Sequence, residues 1–236
     1  FYQPQYITLV ITGNFSPSKL VAKVNSVLKQ QRNSPSFRIR FPQPKSGPKT
    51  LEYHDTVTQS LVSITWIIPG HRQLNLKQRL IIDTAKTLLG SGTGSLLYRQ
   101  LRLKKGLVYS AGAQTKLFPT IGFFELWAKT QKKNVPLVVE EIKKLIEAFI
   151  QGKIPEDKFA RTKHYMSLQT IMAYDSIFNL TERFAQDLFW ENKVLLPEDL
   201  LAIAKSITLT DAIKLLAPYL SWSKRWVSFM LPQRPR

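Results

Sequence analysis

Arg102 and Tyr109 are the two side chains of this sequence best suited to grip a polypeptide backbone. They stand seven positions apart inside the run LLGSGTGSLLYRQLRLKKGLVYS, residues 88–110. A glycine-rich loop leaves one predicted helix and opens a second, which stops at Gly106. The chain then passes directly into a β-type run that carries Tyr109. A glycine just past a helix end folds the last turn back beside the segment that follows. A guanidinium and a phenol hydroxyl can therefore face one cleft and bind a peptide carbonyl together. The same residues also have an ordinary reading. Arg102, Lys104 and Lys105 complement the negative end of the helix dipole, and Tyr109 packs in a sheet. On the residues alone both readings stand.

Other chemistries find less support. A dinucleotide fingerprint must follow a strand and open a helix, whereas a helix precedes Gly90, Gly92 and Gly94, and their spacing is not G-x-G-x-x-G. A P-loop needs a Lys directly before a Ser or Thr, and this loop has none. The three glycines instead permit a tight reversal and close backbone approach to something extended, such as a bound peptide. His54, His71 and His164 are 17 and 93 positions apart, and neither H-E-x-x-H nor H-x-x-E-H occurs, so no helix presents two imidazoles one turn apart. His54 and His164 read as surface or partly buried residues without a chemical role. No G-x-S-x-G elbow is present.

The composition sets outer bounds. The 236 residues suffice for one large domain, or one domain plus a piece of another, and 44% hydrophobic residues with 11% aromatics support a sizeable core. No run approaches the roughly 20 apolar residues that span a bilayer. Without cysteine there are neither disulfides nor thiolate metal sites, which fits an oxidising compartment. The chain opens at Phe1 within what reads as a structured segment, with no signal-peptide pattern. It is expected to be part of a longer protein whose targeting segment, if any, lies outside it. The formal charge is +18, from 34 Lys and Arg against 16 Asp and Glu. Such an excess suits an anionic membrane surface, a polyanion or acidic peptides. The basic residues are nonetheless scattered in small groups along the chain, as on a solvated surface.

The elements that must position the Arg–Tyr pair follow from periodicity. Tyr6 to Thr12 alternates β-branched and other residues and reads as a strand. Ser16-Pro17 opens a helix with a stripe from Leu20 to Leu28. Residues 33–50 are rich in proline and basic side chains, a linker. Strands are expected near 51–56 and over 60–68, a helix over 74–89, a short helix to Lys105, and strands over 107–115 and 120–129. A helix over 134–151 carries the stripe Val135, Val138, Val139, Ile142, Leu145, Ile146, Phe149 and ends at Gly152. Pro155 opens a long helical stretch, further helical patterns cover 185–190, 197–205 and 209–220, and a strand over 225–231 closes the chain. After the linker the order is β-β-α-α-β-β-α-α-α-α-β, an α+β layout with helices over one face of a mostly antiparallel sheet. Residues 1–13 and 219–232 echo each other, each an aromatic, a turn and a strand. The first 30 or so residues would then be the closing strand and helix of a preceding copy of the domain.

Residues 88–110 resemble the signature of the second lobe of M16 (pitrilysin or mitochondrial-processing-peptidase-like) zinc peptidases, roughly L-G-G-G-x-x-S-R-L-F…L-R-x-x-x-G-L-x-Y-S. Residues 1–15, FYQPQYITLVITGNF, resemble the segment that ends the first lobe of that family. The resemblance implies a LuxS/M16 metallopeptidase-like lobe. It divides the chain into the tail of a preceding lobe (1–35), a linker (36–50) and a C-terminal-type lobe (51–236). It further implies that zinc sits in a different lobe or subunit with an inverted motif, and that this chain supplies substrate-binding residues. In those roles Tyr109 hydrogen-bonds the oxyanion of the tetrahedral intermediate and Arg102 holds the substrate main chain. Gly90, Gly92, Gly94 and Ser95 form the substrate-binding loop. Two departures bear on subsite shape: Leu96 stands where the family has Arg, and Tyr98 where it has Phe.

The partners expected on this basis are a zinc-bearing M16 lobe or subunit, a peptide substrate and a dimeric arrangement, with no cofactor in this chain and no nucleic acid. No hydrolysis is expected of the chain alone, and family habit favours a periplasmic or membrane-associated setting. The alternatives are a non-catalytic module of the same fold whose basic surface docks a membrane or polyanion, and a scaffold subunit like the core proteins of respiratory complexes.

Overall fold

The computed structural model describes residues 6–28, 47 and 49–233. They divide into two compact units, one drawn from 1–42 and 167–202, the other from 43–166 and 203–236. The second unit is built on a five-stranded sheet in the order β1-β5-β2-β4-β3. Its strands are β1 (Thr50–Asp55), β2 (Ser60–Pro69), β3 (Val108–Leu117), β4 (Ile121–Thr130) and β5 (Trp226–Pro232). All neighbours run antiparallel except β1 and β5, which are parallel. The fold is therefore α+β with a mostly antiparallel sheet, as expected.

The alternation along each strand decides which face is covered. Val62, Ile64 and Trp66 on β2 and Phe124, Leu126 and Ala128 on β4 are wholly buried. Their helical partners come from α2 (Leu76–Gly90), α4 (Val135–Ile150) and α8 (Leu209–Leu216). On α4 the buried residues Val138, Ile142, Ile146 and Phe149 recur at helical spacing, so one stripe faces the sheet. Gly152, at φ +71°, ends this helix. Its N–H donates to Phe149 O at 3.0 Å and Lys153 N–H to Ala148 O at 2.8 Å, a Schellman closure. α2 starts with a capping box in which Asn75 and Gln78 exchange hydrogen bonds of 2.9 Å. On β4 the Glu125 carboxylate accepts from Ser63 and Gln114.

The other unit contains α1 (Pro17–Val27) and α6 (Ile177–Glu191). Its buried Asp187 accepts from Arg183 at 2.7 Å and from the Leu195 N–H at 3.0 Å. α5 (Glu156–Met172) and α7 (Pro197–Ser206) each run across the division between the units.

Three expectations need correction. Residues 7–12 form no strand, although their pattern suits one. A strand needs a neighbour for its backbone N–H and C=O groups, and among the described residues none pairs with them. The stretch opened by Pro155 is broken at 173–176, where the Ser176 hydroxyl caps α6 by accepting from Asn179 N–H at 3.1 Å. Five helices rather than four therefore separate β4 from β5. The helix expected up to Lys105 is α-helical only at α3 (Leu96–Tyr98) and continues as a π-helical segment, Arg99–Lys104. Residues 1–5, most of the linker and 234–236 lie outside the described residues.

Gly90 closes α2 against the sheet. A Cβ there would stand 2.4 Å from Ala113 N and 2.5 Å from Ala113 Cβ, too close for any side chain. Gly94 faces open space. Gly90→Ala is expected to lower stability by about 1–3 kcal/mol, as overpacking does, while Gly94→Ala leaves the urea midpoint within error. Equal midpoints for both variants would contradict this.

Candidate functional site

Leu97 and Leu101, one helical turn apart, are fully buried and seat α3 and the π segment on the core. Their neighbours Tyr98 and Arg102 share the same four-residue spacing on the flank. The Arg102 guanidinium carbon lies 5.7 Å from the centre of the Tyr98 ring and 5.2 Å from the centre of the Tyr109 ring. The guanidinium thus stacks against two phenols, an attraction worth about 0.5–1 kcal/mol per pair at an exposed site.

Three local devices bring Tyr109 there. Gly106 adopts φ +60°, a left-handed conformation that glycine takes without strain. Its N–H donates to Arg102 O at 3.2 Å and Leu107 N–H to Leu101 O at 2.8 Å, a closure widened to match the π winding. The Leu107 carbonyl then accepts from Thr130 Oγ1 at 2.5 Å and Asn134 Nδ2 at 3.3 Å, so the start of β3 is held from both sides. Finally, β3 carries a bulge. Val108 pairs with Thr130 and Ser110 with Lys129, which leaves Tyr109 as the extra residue. A bulge redirects the side chain of its unpaired residue, and Tyr109 is 65% exposed while Val108 is buried. Neither the Arg102 guanidinium nor the Tyr109 hydroxyl has a hydrogen-bond or ion-pair partner among the described residues. Their polar edges are available to a ligand.

The π segment is anchored from behind by Glu141, a buried carboxylate on α4. It accepts from Gln100 Nε2 at 2.9 Å, Lys105 Nζ at 2.9 Å and Lys144 Nζ at 3.3 Å. The Gln100 hydrogen bond, reinforced by the two ammonium groups, outweighs burial and holds its pKa down at about 2. Sequence reasoning passed over this residue. A lone carboxylate beside Val138 and Ile142 in an apolar stripe is the signal that could have found it. Tyr98, noted only as a departure from the family's Phe, was not joined to Arg102, and the bulge was missed. The former was readable from its four-residue spacing to Arg102, whereas no sequence signal marks the latter.

The glycine loop is divided in use. Gly90 is buried against β3 and does not line the neighbouring cavity. Gly92, Gly94 and Ser95 do line it, together with α5, in a space of about 430 Å³. Gly92 sits at φ +77° and the Ser95 hydroxyl donates to Gly92 O at 2.7 Å, which fixes the turn. Arg102 and Tyr109 are not among the residues that line this cavity. His54 is exposed and contacts Glu52 at 2.8 Å. Among the described residues no group of three or more His, Asp or Glu side chains could hold a metal ion.

The chain has relatives in sequence and in fold. The family described as the peptidase M16 inactive domain matches residues 1–166. An uncharacterized zinc protease of Rickettsia felis is 23% identical over 217 residues, covering 90% of this chain and 50% of that relative. The chain spans about half the length of the curated relatives it matches. A protease from Helicobacter pylori superposes with a TM-score of 0.79 at 20% identity, over 92% of this chain and 53% of that one. A peptidase M16 inactive domain from Pseudomonas fluorescens gives 0.75 at 14% identity, over 94% of this chain and 52% of that one. This chain belongs to the M16 inactive-domain family.

Glu141 makes acid stability a probe of the anchor. A carboxylate whose folded pKa lies below its unfolded value stabilises the fold above the unfolded pKa and loses that contribution as pH falls through the folded one. For Glu141 the window runs from about 4.5 down to about 2. Glu141→Gln is expected to be less stable than the parent at pH 7, with the difference shrinking as pH falls through that window. A difference that stays constant from pH 7 to pH 2 would contradict the anchor.

Proposed function

We propose that this M16 inactive domain is the substrate-binding half of a peptidase whose zinc is carried by a different lobe or subunit. The observation that carries the proposal is the Arg102 guanidinium stacked on the Tyr109 ring, with the hydrogen-bonding edges of both groups unengaged among the described residues. In that arrangement Tyr109 Oη donates a hydrogen bond to the oxygen of the attacked carbonyl as it gains negative charge. Arg102 donates to a substrate main-chain carbonyl beside it. Preorganised donors of this kind stabilise charge that develops in the transition state without further reorganisation. Gly92, Gly94 and Ser95 bound the adjoining space for the substrate. Gly90 contributes only by setting the position of the loop.

The same reading assigns residues 1–35 to the tail of a preceding lobe, 36–50 to a linker and 51–236 to this lobe. Residues 7–12, β-patterned but unpaired among the described residues, support it, since their missing neighbour would be a strand of that lobe.

In a complex reconstituted with the zinc-bearing half, Tyr109→Phe is expected to lower kcat by about 10²–10³-fold, the loss typical of one oxyanion donor. Arg102→Ala is expected to lower kcat/KM, and both variants should keep the parental Tm. Cleavage at the parental rate by both would refute the proposal.

A further inference from the structure

We infer that the cavities on either side of Arg99 bind the carboxylates of an acidic segment in the peptide substrate. This rests on the substrate-binding reading above and names the chemistry of what is bound.

The first cavity lies between the glycine loop and α5. Its charged lining is Arg99, Lys158 and Arg161, with no carboxylate among the lining residues. Asp157, next to it, reaches Lys158 at 3.2 Å and Arg161 at 3.8 Å, and so offsets one of the three charges. The Ser91 and Thr93 hydroxyls on the opposite wall have no partner among the described residues. The Ser95 and Thr162 hydroxyls are engaged by Gly92 O and Lys158 O.

The second cavity, about 340 Å³, shares Arg99 and Lys158 with the first and adds Lys104, Lys144 and Lys153. Its one carboxylate is Glu141, already committed to Gln100, Lys105 and Lys144. Lys144 also lies 3.8 Å from Glu140. Arg99, Lys104 and Lys153 have no ionic partner among the described residues. Six cations thus line two adjoining cavities, countered by Glu141 within and by Asp157 and Glu140 at the margin.

A basic substrate would meet repulsion here and a neutral one would leave the cations unpaired. A carboxylate gains charge-assisted hydrogen bonds from guanidinium, ammonium and hydroxyl donors together. Two adjoining cavities suit side chains a few residues apart on one extended segment rather than a single small anion. Arg99 belongs to the same π segment as Arg102, so the segment would be held beside the Arg102–Tyr109 pair.

The test is fluorescence anisotropy of three labelled peptides of equal length, rich in Glu, Ser or Lys, with the 236-residue chain. The Glu-rich peptide is expected to bind at least tenfold more tightly than the Ser-rich one, with the advantage shrinking as salt rises. In the doubly substituted Arg99→Ala/Arg161→Ala chain, checked for parental circular dichroism, the three affinities should converge. An acidic preference that is absent, or that survives the double substitution, overturns the inference. So does binding of phosphatidylglycerol vesicles that depends on Arg99 and Arg161 without discrimination among peptides. Loss of Ser-rich binding in Arg102→Ala without any acidic preference would sink this inference and leave the substrate-binding reading standing. An acidic preference with all peptides indifferent to Arg102→Ala and Tyr109→Phe would sink that reading and leave the cationic cavities as an independent site.

Discussion

The placement of one guanidinium between two phenol rings depends on how the chain turns from helix to strand. Leu97 and Leu101 fix the helix on the core, and Gly106 reverses the backbone in a conformation that other residues adopt only with strain. The Leu107 carbonyl is then tied to Thr130 and Asn134. Only after these constraints does the bulge present Tyr109 outward. Without the bulge, strict alternation would shift every later residue of β3 to the opposite face. Core residues such as Ala111 and Ala113 would then turn away from the helices. The bulge lets Val108 and Ala111 both face the core while Tyr109 stays in solvent.

Charge is handled in two ways around this joint. Behind it, Glu141 lies in a buried setting where an unpaired carboxylate would be strongly disfavoured, and three donors satisfy it. Gln100 of the π segment and Lys105 just after it tie that segment to α4, while Lys144 adds a donor from α4 itself. Beside it, the cations Arg99, Lys104 and Lys153 have no ionic partner among the described residues. A chain of formal charge +18 can leave many lysines solvated at little cost. Their gathering about shared cavities is what sets this group apart.

Much of the framework was readable from local rules. The stripe of α4, the stop at Gly152, the turn at Gly106 and the alternation of β2 and β4 each follow from residues within one or two turns of each other. Arg102 stacks on Tyr109, although neither lines the cavity beside the glycine loop. What the local rules missed is tertiary in origin. The π winding of Arg99–Lys104 has no marker in its residues, and the bulge depends on the partner strand β4. Gly90 has the flexibility expected of a ligand-facing glycine, but β3 occupies the space beside it. Residues 7–12 have every local mark of a strand and lack a neighbour among the described residues, which no pattern within them could reveal.

The most direct measurement of the central claim is a double-mutant cycle on kcat/KM, with Arg102→Ala, Tyr109→Phe and both together in the reconstituted peptidase. If the two groups act on one stretch of substrate backbone, each depends on the other for position. The combined loss should then fall short of the product of the single losses by at least about tenfold, a coupling of about 1.4 kcal/mol. Losses that multiply strictly would mean that the guanidinium and the phenol act independently, contradicting the account.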